Sequence, residues 1–113
     1  MKKLLSIVAL LIASEASAHH GWSEYDAQQP LRLRGTIEEF GYEHPHGFVR
    51  LKTPDKAWLV VLAPPSRMEN RGLARAQLAK GTTVEVEGYP KRTDAGELRA
   101  ERITIGQQTT ELR

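Results

Sequence analysis

All four histidines of this 113-residue sequence fall into two clusters, His19-His20 and His44-Pro45-His46. Imidazole is the commonest metal ligand among side chains, and it binds through an unprotonated ring nitrogen. Pro45 biases His44 toward extended backbone, and residues two apart on an extended chain point the same way. His44 and His46 can therefore face one ion, or one can bind while the other faces solvent. His19 and His20 follow Ala16-Ser17-Ala18. If the chain is cut after Ala18, His19 carries a free amine beside its imidazole, and the two can chelate one ion. A third nitrogen, from His46 or His44, would complete the T-shaped histidine brace known for Cu(II). The sequence has no Cys. Thiolate sites drop out, and copper is preferred, with zinc a possible occupant of the same nitrogens. The candidate ligands are thus His19, His20, His44 and His46, with Glu24, Asp26, Tyr42 and Glu43 as neighbours. The plainer alternative is structural: histidines beside Pro and Gly at a turn often only hydrogen-bond backbone groups.

No other constellation competes. There is no Ser/His/Asp arrangement, phosphate loop, spaced carboxylate pair, C-x-x-C or H-E-x-x-H motif. The chain reads as a protein without catalytic activity of its own, although a copper brace can support oxidative chemistry. A rival reading is a metal-free binding or assembly module using a barrel face around Trp22, Tyr42 and Trp58.

The brace depends on processing. Met1-Lys2-Lys3, the uncharged run from Leu4 to Ala13 and Ala16-Ser17-Ala18 form a secretory signal peptide over residues 1–18. The run is too short to span a bilayer, which takes about 20 apolar residues. Cleavage after Ala16 is the competing cut. It would leave Ser17-Ala18-His19, which binds Cu(II) differently, through the amine, two amides and the third-position imidazole. Removing residues 1–18 from the 113 leaves a single domain of 95 residues, 19–113, in the periplasm or outside the cell. Losing Lys2, Lys3 and Glu15 brings 16 basic and 14 acidic residues down to 14 and 13. That near-neutral balance argues against a nucleic-acid partner. The mature chain has no segment for stable membrane insertion, so the expected partner is a metal ion or a periplasmic protein.

The elements that must position the histidines read as β-structure. Leu31, Leu33, Gly35 and Ile37 alternate with polar residues, as do Val49 and Leu51 after the turn at Gly41–Gly47. "AWLVVL" at 57–62 is a continuous apolar run, consistent with a strand buried on both faces. Ser66 and Glu69 form a capping-box pattern for a short helix that Gly72 stops. A second turn follows near Arg75–Leu78, and Arg67, Arg71 and Arg75 read as its solvated face. Val84 and Val86 alternate again. The last long strand slips its apolar phase between Ala100 and Ile103, which predicts a bulge. The result is a mainly β chain: a small five-stranded OB-like barrel with a short helical insert between strands three and four. Its expected core is Leu33, Ile37, Val49, Leu51, Leu59, Val61, Val84, Val86, Ile103 and Ile105.

With those residues placed, "HHGWSEYD" at 19–26 resembles the mature start of a family of small secreted bacterial proteins of unknown function. His19, His20, Trp22, Tyr25 and Asp26 match its opening. Leu33, Gly35 and Ile37 match a Leu-x-Gly-x-Val strand, and Tyr42, Pro45 and His46 match an aromatic followed by Asn-Pro-His. Arg71-Gly72, Leu78, Gly81 and Val84-x-Val86-x-Gly88-x-Pro90 match the remainder. The resemblance implies a periplasmic OB-like barrel and brings no established activity. His44 stands where that family usually has Asn, and Leu73 where it has an aromatic. The trio that carries over is His19, His20 and His46.

Overall fold

The computed structural model describes residues 21–113, so the expected leader and the pair His19-His20 lie outside the described residues. Six strands form in chain order: β1 (Leu31–Gly41), β2 (Phe48–Lys52), β3 (Ala57–Val61), β4 (Thr83–Lys91), β5 (Asp94–Ile105) and β6 (Gln108–Glu111). A short helix, α1 (Pro65–Asn70), and a 3-10 turn (Arg75–Leu78) lie between β3 and β4. β1 pairs antiparallel with β2 and β4, β2 with β3, and β4 with β5. A parallel pairing of β3 with β5, through Leu59–Glu97, Val60–Leu98 and Val61–Arg99, closes the ring of five strands. Closure satisfies the edges that an open sheet would expose. β6 pairs with the far half of β5. This is the expected mainly β, five-stranded closed barrel, with the helical insert where it was expected. Among the described residues, no helix is long and apolar enough to cross a membrane.

Two glycines let the barrel close. A side chain on Gly35 would run into the carbonyl of Lys52, and one on Gly88 into the carbonyl of Arg99. The expected bulge in β5 is present: Glu87 faces Arg102 and Gly88 faces Ala100, leaving Glu101 without a partner in the ladder. A second register shift, in β1, passes over Glu38 and brings Phe40 opposite Val49.

The core corrects one expectation. Ile37, Val49, Leu51, Val84, Val86 and Ile103 are buried together, with Leu33 and Ile105 packed against them. Leu59 and Val61 are not in this core; they are half-exposed on the outer face of β3. Residues directly opposite in an antiparallel pair share a face. Because Leu51 faces Trp58 and Val49 faces Val60, it is Trp58 and Val60 that turn inward. β3 is therefore buried on one face only.

The insert seals the barrel end that carries the β1–β2 turn. Met68, Leu73 and Leu78 are fully buried, and the Met68 methyl lies against Gly47. Ser66 does not cap α1: the cap is Pro64, with no side-chain bond, and Pro65 opens the helix. Proline is favoured at that first position because its fixed φ suits the helix and its missing N–H costs nothing there. Arg75 is exposed, as expected, but Arg67 and Arg71 are not simply solvated. Arg67 donates to the Leu112 carbonyl at 3.0 Å, and Arg71 to the carbonyls of Glu111 and Arg113 at 2.8 and 3.1 Å. They tie the insert to the chain at and after β6.

Tyr42 joins the turn to the insert, its hydroxyl donating to the Leu73 carbonyl at 2.6 Å in a buried setting. Tyr42→Phe would leave that carbonyl short of a donor. The expected loss is about 1–2 kcal/mol, read as a lower urea midpoint with an unchanged slope.

Candidate metal centre at the β1–β2 turn

The turn between β1 and β2 carries Glu43, His44, Pro45 and His46. Glu43, His44 and Pro45 are exposed, whereas His46 is half-buried. The backbone immediately after His46 is fixed: Gly47 N–H donates to Ala63 O at 2.9 Å, and Leu62 N–H donates to Gly47 O at 2.8 Å. His46 therefore projects from a position held by the end of β3, while His44 sits on the open part of the turn.

Three depressions meet at His46. One of about 370 Å³ is shared by His44, His46, Tyr42, Glu43 and Arg75, so the two imidazoles of the turn do border one space. A second, of about 360 Å³, is lined by Glu24, Tyr25, Pro45, His46, Glu97 and Arg99. The third, of about 380 Å³, runs over Phe48, Leu59 and Val61 on the outer face of β2 and β3. Of the two turn histidines, His46 alone faces the second cleft, where the lead-in chain arrives.

That lead-in is held by the β4–β5 hairpin. Tyr25 bridges to Lys91, Asp26 N–H donates to Pro90 O at 2.8 Å, and Arg92 N–H donates to Glu24 O at 3.0 Å. Asp26 fixes the turn that follows, accepting from Gln28 N–H at 3.0 Å and from the Gln29 amide at 2.8 Å. Those two bonds, with Arg92 nearby, hold its carboxyl below the usual range. Tyr25 is buried, and its hydroxyl donates to Glu97 Oε2 at 2.5 Å. Burial first, then that hydrogen bond to a carboxylate, pushes the phenol well above its ordinary value. Tyr25 thus stays protonated at neutral pH and acts as a donor rather than an anionic ligand. Lys91 Nζ sits 3.6 Å from Glu24 and 3.7 Å from Glu97, balancing the two carboxylates at the mouth.

Among the described residues, no three His, Asp or Glu side chains are grouped closely enough to hold a metal. A centre here needs ligands from the chain before Gly21, where His19 and His20 lie outside the described residues. Glu97 and Arg99 have no sequence signal as cleft residues. Alternation about Leu98 puts them on the outer side of β5, but only the β3–β5 pairing brings them to the turn. The aromatic face of Trp22, Tyr42 and Trp58 is not displayed, because Tyr42 and Trp58 are both buried.

Solved structures share the fold. A ZRD-deleted mutant of TiaS in complex with agmatine matches with a TM-score of 0.56 and 25% identity over 77% of this chain and 27% of that one. A complex of TiaS with its tRNA and ATP matches at 0.52 and 26%, over 79% of this chain and 20% of the other. A tRNA fluorescent labelling enzyme matches at 0.54 and 26%, over 74% and 19%. The chain thus spans little more than a quarter of these proteins at most. No curated protein matches the sequence. A family model does match, over residues 7–99, and the chain belongs to that family of unknown function, DUF6152.

Proposed function

We propose that this is a periplasmic or secreted protein whose mature chain begins at His19 and binds a transition metal, Cu(II) by preference. The ligands are the His19 amine and imidazole, His46, and a further histidine from His20 or His44. The observation that carries this reading is the cleft shared by His46, Glu24 and Tyr25. It brings the lead-in to the one turn histidine whose neighbouring backbone is fixed. Trp22 stands three positions after His19, and three residues of extended chain reach roughly 10 Å at most. Copper suits the all-nitrogen donor set, and zinc is the second choice.

The RNA bound by one TiaS structure is not carried over. On the outer face of β1, β4, β5 and β6, Arg32 and Arg102 contact Glu87 at 3.0 and 2.9 Å, and Arg102 contacts Glu111 at 2.9 Å. Such a balanced ladder lacks the positive surplus that a phosphate backbone requires. Storage, delivery or sensing are all compatible with a protein that binds copper and turns nothing over.

The test is titration of processed protein with Cu(II) and Zn(II), with melting temperature as a second readout. A metal that binds the folded state alone must raise it. Binding should weaken as pH falls through the imidazole range, because each ligand nitrogen must lose its proton to coordinate. A Cu(II) affinity that is flat between about pH 8 and 5 would contradict histidine ligation.

A further inference from the structure

Phe48, Leu59 and Val61 form an apolar surface on the outside of the barrel. Phe48 lies opposite Val61 in the β2–β3 ladder, and Leu59 stands two residues before Val61 on the same face. The three are neighbours, each half-exposed, in the depression of about 380 Å³ over β2 and β3. The outer face of β1, β4, β5 and β6 differs, because Arg32, Glu87, Arg102 and Glu111 pair with one another there. A contiguous apolar surface with a polar rim marks a place of contact. Here the rim has both signs. Arg50, opposite Leu59 in the ladder, meets Glu39 only at 3.9 Å, and their side chains are 43% and 60% exposed. Lys52, two residues further along the same face as Arg50, is exposed.

We propose that the outer face of β2 and β3 is the contact of a two-fold dimer of this chain. The surfaces of Phe48, Leu59 and Val61 pack on each other, and the acidic rim at Glu39 of each copy faces the basic rim at Arg50 and Lys52 of the other. A rim of one sign would select a partner of the opposite sign. A rim of both signs matches a surface that carries the same two signs turned over, and a two-fold contact is self-complementary in that way. The formal net charge of the chain is only +2, so long-range repulsion between copies is small. Three apolar side chains and a short rim make a small contact, so the dimer is weak, with a dissociation constant above about 1 µM. Copper plays no part in it.

The experiment is sedimentation equilibrium of the secreted chain, with a chelator present so that metal-bridged association does not count. The average mass should rise from monomer toward dimer between roughly 10 µM and 1 mM. Leu59→Asp places a carboxylate in the apolar contact and should weaken association at least about tenfold, with the circular dichroism of the barrel unchanged. Two rim variants test the charge matching without touching the apolar surface. Glu39→Lys makes the rim basic throughout, and Arg50→Glu with Lys52→Glu makes it acidic throughout. Each alone should stay monomeric, because like charges then meet across the two-fold contact, whereas an equimolar mixture of the two should associate as well as the unaltered chain. If the unaltered chain stays monomeric at every concentration, the dimer is overturned, and the surface is left for a foreign protein or a small apolar ligand. If Leu59→Asp associates like the unaltered chain, the contact lies on another face. If the mixture of rim variants fails to associate, the two-fold charge matching is wrong.

Discussion

Val86→Asp should abolish the cooperative folding of this protein. Val86 has no exposed surface. It lies in β4 between Leu33 of β1 and Ile103 of β5, where the barrel offers a carboxylate apolar neighbours. Burying an uncompensated polar or charged group costs several kcal/mol. A small domain is stable by only about 5–15 kcal/mol in total, and this one has no disulfide to reinforce it. The expected readout is loss of the thermal transition and of the β-sheet circular dichroism. Leu59→Asp supplies the contrast. Leu59 is half-exposed on the outer face of β3, so its variant should fold and melt within a few degrees of the original. If Leu59→Asp unfolds the chain and Val86→Asp does not, the inside–outside assignment of the barrel is reversed.

His46→Ala should remove most of the Cu(II) affinity, and His44→Ala distinctly less. His46 borders the cleft at which the lead-in arrives, and the chain after it is anchored to Ala63 and Leu62. His44 is exposed on the open part of the turn. Losing an outer partner of a metal ligand already costs about 10–100-fold, so losing His46 as a ligand should exceed that. An extra residue before His19 should be as harmful as His46→Ala, since it converts the chelating amine into an amide. Equal losses from His44→Ala and His46→Ala would instead place the metal in the depression that both imidazoles border.

Strands with clean alternation are legible in the sequence itself. Leu31, Leu33, Gly35 and Ile37 turn inward as expected, Asp26 builds its turn, and the phase slip after Ala100 marks the bulge at Glu101. The faces of β3 escape such a reading because an unbroken apolar run has no phase. Only its pairing with β2 decides that Trp58 and Val60, rather than Leu59 and Val61, face the core. The start of α1 escapes it because Pro65, with its fixed φ, sets the helix origin ahead of the Ser66 capping pattern. The reach of Arg67 and Arg71 to carbonyls of Leu112 and Glu111 leaves no local trace. For the candidate site, histidine clustering points to His46 and to the lead-in. Glu97 and Arg99 stay hidden because ring closure through β3 and β5, a contact far apart in sequence, delivers them.

The most direct measurement is a Cu(II) titration of two forms of one protein, the chain beginning at His19 and the same chain with one Met before it, each verified by intact mass. The expected result is one tightly bound Cu(II) on the His19 form, an electron paramagnetic resonance spectrum of nitrogen ligation, and a large loss of affinity on the Met-extended form. Equal affinity for the two forms would show that the amine is not a ligand and contradict the brace. Secreted protein that begins at Ser17 would contradict it as well, leaving the third-position His19 mode in its place.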